Sequence, residues 1–167
     1  MESTSTTDPS HRTQNATMID EMTMTTVVTA SPEDCYALIS DIERYPEWAT
    51  DVSSATVIES DPDGRTAQAS FRVEALGRSA RYTLAYDHGG APHRLSWKLV
   101  DGDVVKQLDG RYEFNPATEP GRTEVLYQLA LELAVPLPGF VKRRAERRIA
   151  HTALADFAAR LESGPAN

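Results

Sequence analysis

Cysteine is nearly absent: Cys35 stands alone in 167 residues, so the chain can close no internal disulfide and build no thiolate metal cluster. That usage fits a reducing, cytoplasmic setting. Long apolar runs are missing too, none approaching the roughly 20 residues that span a bilayer. Positive charge is the minority, with 17 Lys and Arg against 25 Asp and Glu. The resulting net charge of −8 excludes the broad cationic face that nucleic-acid binding requires. No Gly-rich phosphate loop occurs, no Ser-His-acid or Cys-His arrangement can be argued, and no acidic residue stands at metal-ligand spacing from a histidine. Neither a metal nor a cofactor is expected, and no catalytic residue can be assigned.

What remains is an ordinary globular composition, 40% hydrophobic and 25% charged. A chain of this length buries roughly 70% of its unfolded surface as one domain. Residues 1–17, rich in Ser and Thr and holding His11, read as a disordered N-terminal tail. Residues 18–162 read as the folded domain and 163–167 as a short C-terminal tail.

Met18 to Ala30, rich in Thr and Val, predicts a first strand. Ser31-Pro32-Glu33-Asp34 then predicts a helix start, with Ser31 as cap and Pro32 at the first helical position. That helix should turn Cys35, Leu38 and Ile39 inward. A second short helix should follow from Asp41 and stop before Pro46. From Val52 onward the apolar period is two. Phe71 and Val73, then Tyr82 and Tyr86, Leu95 and Trp97, Tyr112 and Phe114, and Tyr127 and Leu129 alternate with polar neighbours. The turns between them carry Gly, Pro and Asp, so the strands pair antiparallel. In the sixth strand the even positions from Val104 to Phe114 should share one face, and Gly110 among them marks a bend or a close approach. A helix should begin at Pro138-Gly139, with Val141, Ala145, Ile149, Ala153, Phe157 and Leu161 as its buried stripe. Lys142, Arg143, Arg144, Arg147 and Arg148 against Glu146 give its start a charge of +4, leaving −12 elsewhere. A solvated helix face accounts for such a run; so does contact with an anion.

Asp41-Ile42-Glu43-Arg44-Tyr45-Pro46-Glu47-Trp48 resembles the early signature of the polyketide cyclase/dehydrase and START-like superfamily. Val135 to Arg148 is similar to the opening of that family's last helix, and Leu108 to Phe114 resembles one of its strands. The resemblance covers about Met18 to Glu162, closest to small actinobacterial and coenzyme-Q-binding members. It implies an α+β helix-grip fold: a curved antiparallel sheet of six to seven strands, two short helices after the first strand, and a long C-terminal helix over a cavity. Lipid and sterol carriers, hormone receptors, quinone-binding proteins and aromatase/cyclases share that architecture.

The inward strand residues Phe71, Val73, Tyr82, Tyr86, Leu95, Trp97, Tyr112, Phe114, Tyr127 and Leu129 would then line the cavity, with Trp48 and Phe140 near its mouth. Each alone reads equally as packed core, and Tyr45 and Trp48 read as rings fixing the short helices to the sheet. The expected function is binding or transport of a hydrophobic small molecule, such as a lipid, quinone or polyketide-like compound. The alternative is an aromatase/cyclase or dehydrase, for which Tyr82, Tyr86 and Tyr112 are the polar groups within reach. Arg143, Arg144, Arg147 and Arg148 would serve a transient contact with a membrane surface or an acyl carrier.

Overall fold

A computed structural model describes residues 21–75 and 77–163; the expected N-terminal tail, residues 18–20 of the expected first strand and residues 164–167 of the expected C-terminal tail lie outside them. Strand β1 (Glu21–Val28) is followed by helix α1 (Pro32–Ser40) and a 3-10 helix (Ile42–Glu47). Six strands come next: β2 (Val52–Ser60), β3 (Thr66–Ala75), β4 (Arg78–Asp87), β5 (Arg94–Gly102), β6 (Val105–Pro116) and β7 (Thr123–Leu133). Helix α2 (Gly139–Glu162) ends the fold. All seven strands join one antiparallel sheet in the order β1-β7-β6-β5-β4-β3-β2. This is the helix-grip arrangement the sequence led us to expect.

Local chemistry explains most boundaries. Ser31 Oγ accepts the Asp34 N–H at 3.1 Å, so the cap works as its spacing suggests. At the β2–β3 turn Asp61 Oδ1 accepts from the N–H groups of Asp63 and Arg65, and Gly64 takes a φ of 83°, open mainly to glycine. Pro46 corrects the sequence reading: the 3-10 helix continues through it to Glu47. Its turns close on either side, Arg44 N–H to the Asp41 carbonyl and Trp48 N–H to that of Tyr45, so the missing proline N–H removes no bond from either.

Two further corrections concern side-chain direction. The β6–β7 register shifts between Val105 and Gln107, so Val105 rather than Val104 is the buried residue at the start of β6. One extra residue inverts the parity on that side of it. On α2 the residues sealed into the core are Ala150, Leu154 and Phe157, while Ala145, Ile149 and Ala153 of the expected stripe are only half-buried. Glu146, counted above as surface charge, is buried and accepts the Leu133 N–H at 3.0 Å.

Gly110 marks a close approach. A Cβ there would stand 2.5 Å from the Gln128 carbonyl oxygen and 2.8 Å from Trp97 Cζ2. Gly110→Ala should therefore force β6 from β7 and destabilise the fold by about 1–3 kcal/mol, readable by urea denaturation. Retention of full stability by that variant would mean the two strands have slack. Beside it, β5–β6 pairing runs only from Arg94/Glu113 to Trp97/Gly110, and the Asp109 carboxylate takes the Leu99 N–H beyond that point.

Candidate functional site

Helix α2 does not press flat on the sheet. Its C-terminal half is tied down: Glu162 accepts the Thr29 N–H at 2.7 Å, Asp156 accepts the Thr50 N–H at 2.8 Å, and Arg160 pairs with Glu47 at 3.3 Å. Between the helix and the inner sheet face lies a hollow of two adjacent lobes. The first, of about 130 Å³, sits beneath the 3-10 helix and is walled by Tyr45, Trp48, Phe71, Tyr82, Tyr86, Trp97, Tyr112 and Tyr127. The second, of about 230 Å³, lies under the first half of α2. Its wall is aliphatic, formed by Val73, Leu129, Leu131, Leu133, Ala145 and Ile149 among others. Val52, Tyr82, Leu108, Tyr127 and Ala153 border both lobes. A groove of about 440 Å³ on the opposite sheet face, bordered by Ser96, Lys98, Asp109 and Arg111, is larger but more polar.

The aromatic lobe owes its shape to register. Phe71 stands opposite Tyr82, Tyr86 opposite Trp97, and Tyr112 opposite Tyr127, so neighbouring strands stack rings across the inner face. Tyr112 and Tyr127 lie 4.6 Å apart between ring centroids, nearly parallel, and Phe71 and Tyr82 lie 5.3 Å apart. Tyr45 and Trp48 close the top at 4.8 Å from each other, Tyr45 against Phe71 and Trp48 against Phe157. The Tyr45 hydroxyl donates to the Ile39 carbonyl, which fixes the ring over the lobe.

Most polar groups in this lobe have no protein partner. The hydroxyls of Tyr82, Tyr86, Tyr112 and Tyr127 have no hydrogen-bond partner among the described residues, whereas those of Tyr36 and Tyr45 each have one. The Trp48 indole N–H is buried and likewise unpartnered. Burial pushes the pKa of Tyr45, Tyr82, Tyr86, Tyr112 and Tyr127 upward, with neighbouring phenols adding to the shift for all but Tyr82, where Asp51 adds to it. At neutral pH they are protonated, able to donate to a carbonyl but not to act as bases.

Of the two lobes, only the aliphatic one is bordered by charged side chains, at Asp51, Arg78 and Asp156. Burial, then the nearby Asp156 charge, raises the Asp51 pKa above its ordinary 3.8. A carboxyl whose folded pKa is raised destabilises the fold once it ionises, so its cost is absent at low pH and grows as pH climbs above 3.8. Asp51→Asn should raise the melting temperature at neutral pH, and the gain should vanish at pH 3. An equal gain at both values would assign the effect to something other than titration.

Of the residues expected to line a cavity, Trp48, Phe71, Val73, Tyr82, Tyr86, Trp97, Tyr112, Tyr127 and Leu129 border these lobes. Leu95 and Phe114 border neither; both are fully buried in the solid core, and Phe157 packs 6.0 Å from Phe114. Phe140 borders neither and is 63% exposed. Arg143, Arg144, Arg147 and Arg148 are exposed, as a charge run suggests, while Lys142 pairs with Glu132 at 3.6 Å. His88 and His93, which flank the β4–β5 turn, are held apart by their separate bonds. His88 donates from Nε2 to the Thr66 carbonyl and accepts the Tyr36 hydroxyl at Nδ1; His93 Nδ1 donates to the Phe114 carbonyl. Cys35 is fully buried, and burial pushes its thiol up to about 11. Sequence reasoning missed Asp51, Arg78 and Asp156. Ile149, Ala153 and Asp156 share one helix face by their spacing, so Asp156 could have been found; Asp51 and Arg78 flank turns and have no periodic signal.

Known proteins agree with this architecture. A START superfamily protein from Mycobacterium smegmatis superposes with a TM-score of 0.78 at 24% identity, covering 86% of this chain and 97% of its own. The Zhui aromatase/cyclase from a Streptomyces species superposes with a TM-score of 0.74 at 12% identity, over 89% of this chain and 99% of that one. At such identities these likenesses speak for the fold alone. Among curated proteins, the ribosome association toxin RatA of Escherichia coli is 26% identical over 102 residues, 61% of this chain. The match spans 62% of that relative's length. Residues 28–158 match the family model described as polyketide cyclase / dehydrase and lipid transport, and the chain belongs to that family.

Proposed function

We propose that this protein binds one largely apolar small molecule in the two-lobed hollow and acts as its carrier or receptor. The observation that carries the reading is a largely apolar wall that holds the buried, unpartnered Trp48 indole N–H, the one fully enclosed donor there, and the phenol hydroxyls of Tyr82, Tyr86, Tyr112 and Tyr127, which reach the hollow and make no hydrogen bond among the described residues. A buried donor without an acceptor costs roughly 1–3 kcal/mol, and native folds leave few of them. A ligand bearing carbonyl or ether oxygens at one end and an aliphatic portion at the other supplies the missing acceptors and fills the second lobe. Quinones, oxidised lipids and polyketide-like compounds meet that description. Only together do the lobes reach the small end of ligand sites, roughly 300–1,000 Å³, which favours a compact compound over a two-chain lipid.

Native mass spectrometry of the protein as purified, followed by denaturing extraction, tests this. An oxygen-bearing apolar compound at about one per chain is the expected result. A protein that stays empty and takes up nothing from quinone and polyketide mixtures would end the reading.

A second reading, catalysis on a polyketide intermediate, draws on the same donors, because phenols converging on a carbonyl polarise it for ring closure. It lacks a base inside the aromatic lobe, where every titratable group is a protonated phenol. Separate Tyr82→Phe, Tyr86→Phe and Tyr112→Phe variants should alter the product profile if the protein is a cyclase. Unchanged profiles from all three would leave binding alone.

A further inference from the structure

The segment joining β7 to α2 is unusual for an exposed loop. Ala134-Val135-Pro136-Leu137-Pro138-Gly139-Phe140 contains no polar side chain. Leu137 is 45% and Phe140 63% exposed. Pro136 and Pro138 restrict the backbone, so the two apolar tips are held outward with little conformational freedom to lose on binding. Exposed large apolar groups that cluster point to a surface of contact.

The four exposed arginines that follow make the cluster amphipathic. Arg143, Arg144, Arg147 and Arg148 form no ion pair among the described residues, in contrast to Lys142 with its partner Glu132. They follow a first turn that has no acid and a helix whose N-cap is Pro138, so no local carboxylate offsets their charge there. Leu137 and Val135 at the same time border the aliphatic lobe, so the apolar loop sits at the edge of the hollow.

We propose that the β7–α2 loop and the first turns of α2 dock on an anionic phospholipid bilayer, Phe140 and Leu137 entering the acyl boundary and the four arginines meeting the headgroups. In purpose this rests on the carrier reading, since docking would set the aliphatic lobe against the lipid from which or to which a ligand moves. An apolar tip beside a cationic helix face is the composition of an interfacial segment, whereas an acidic protein partner would need the arginines but not the bare phenylalanine. The charge of −12 on the remainder of the chain does not oppose contact at physiological salt, because screening confines attraction and repulsion to about 8 Å.

Flotation of the full chain with phosphatidylcholine vesicles, with and without phosphatidylglycerol, tests the proposal. The wild type should bind the anionic vesicles, bind neutral ones weakly, and release as salt rises. Replacing all four arginines by Gln should lower partitioning by at least tenfold, given about fivefold per cation at an anionic surface. Phe140→Ser should lower it by about tenfold while keeping the salt dependence. Arg122→Gln, on the distant β6–β7 turn, should change nothing. Equal binding to both vesicle types, or a quadruple variant that binds like wild type, would overturn the proposal. So would binding to an acidic carrier protein with none to vesicles. Circular dichroism checks that the variants are folded. Ligand content measured on the same samples separates the two readings: an empty protein that still floats loses only the carrier, and a loaded one that does not float loses only the dock.

Discussion

Ala153→Phe should empty the protein of ligand without weakening it. Ala153 borders both lobes and is half-buried only because its methyl faces the hollow. In a solid core the added ring would cost about 1–3 kcal/mol through forced rotamers and backbone shifts. Here it enters empty space and gains apolar contact, so the melting temperature should hold or rise while bound compound falls at least tenfold. Both numbers come from one preparation, by calorimetry and native mass spectrometry. A variant that melts well below wild type would show that the space is not available to a side chain, and the hollow would lose its standing as a site.

Phe157→Ala should have the opposite signature. Phe157 is fully buried, with its ring 5.1 Å from that of Tyr112, 5.9 Å from Trp48 and 6.0 Å from Phe114. It is the point where α2 meets both the sheet and the loop after the 3-10 helix. Truncating a buried phenylalanine costs about 3–5 kcal/mol, because contacts are lost and the neighbours collapse only in part. For a domain of this size that corresponds to a fall of about 10 °C or more in melting temperature. Trp48 and Tyr112 also border the aromatic lobe, so their loss of support should weaken ligand retention as well. A loss under about 1 kcal/mol would mean that the tethers at Thr29, Thr50 and Glu47 hold the helix by themselves.

These two alanine and phenylalanine positions also show what can be read from a linear chain. Both lie on the predicted stripe of α2, and their spacing gave no sign that one seals the core while the other faces a void. Periodicity reports which face of an element avoids water; it does not report whether the opposing surface reaches it. The strands were legible because alternation is a property of one strand: Tyr82 and Tyr86, or Tyr127 and Leu129, point inward as their parity requires. The cap at Ser31 was legible because its bond is three residues long. Features set by a distant partner were not. Glu146 looks like a surface acid until Leu133 presents its N–H, and Val105 takes the place of Val104 only because β6 slips against β7. Pro46 was misread because a rule about α-helices was applied to a tighter one. The family motifs located the fold, while the unpartnered donors emerged only from three-dimensional accounting.

The pairing of β1 with β7 imposes an order on biogenesis. Glu21 to Val28 lies against Ala130 to Thr123, so the first strand waits through about a hundred residues of synthesis before its neighbour exists. Strands β2 to β6 pair with immediate chain neighbours and can form as they leave the ribosome. Until β7 and α2 follow, the rings of the inner face have no lid and the hollow does not exist as an enclosure. Any occupant of the hollow must therefore enter after synthesis of the domain, and a nascent chain stalled before β7 would present an aromatic sheet face and an unpaired edge.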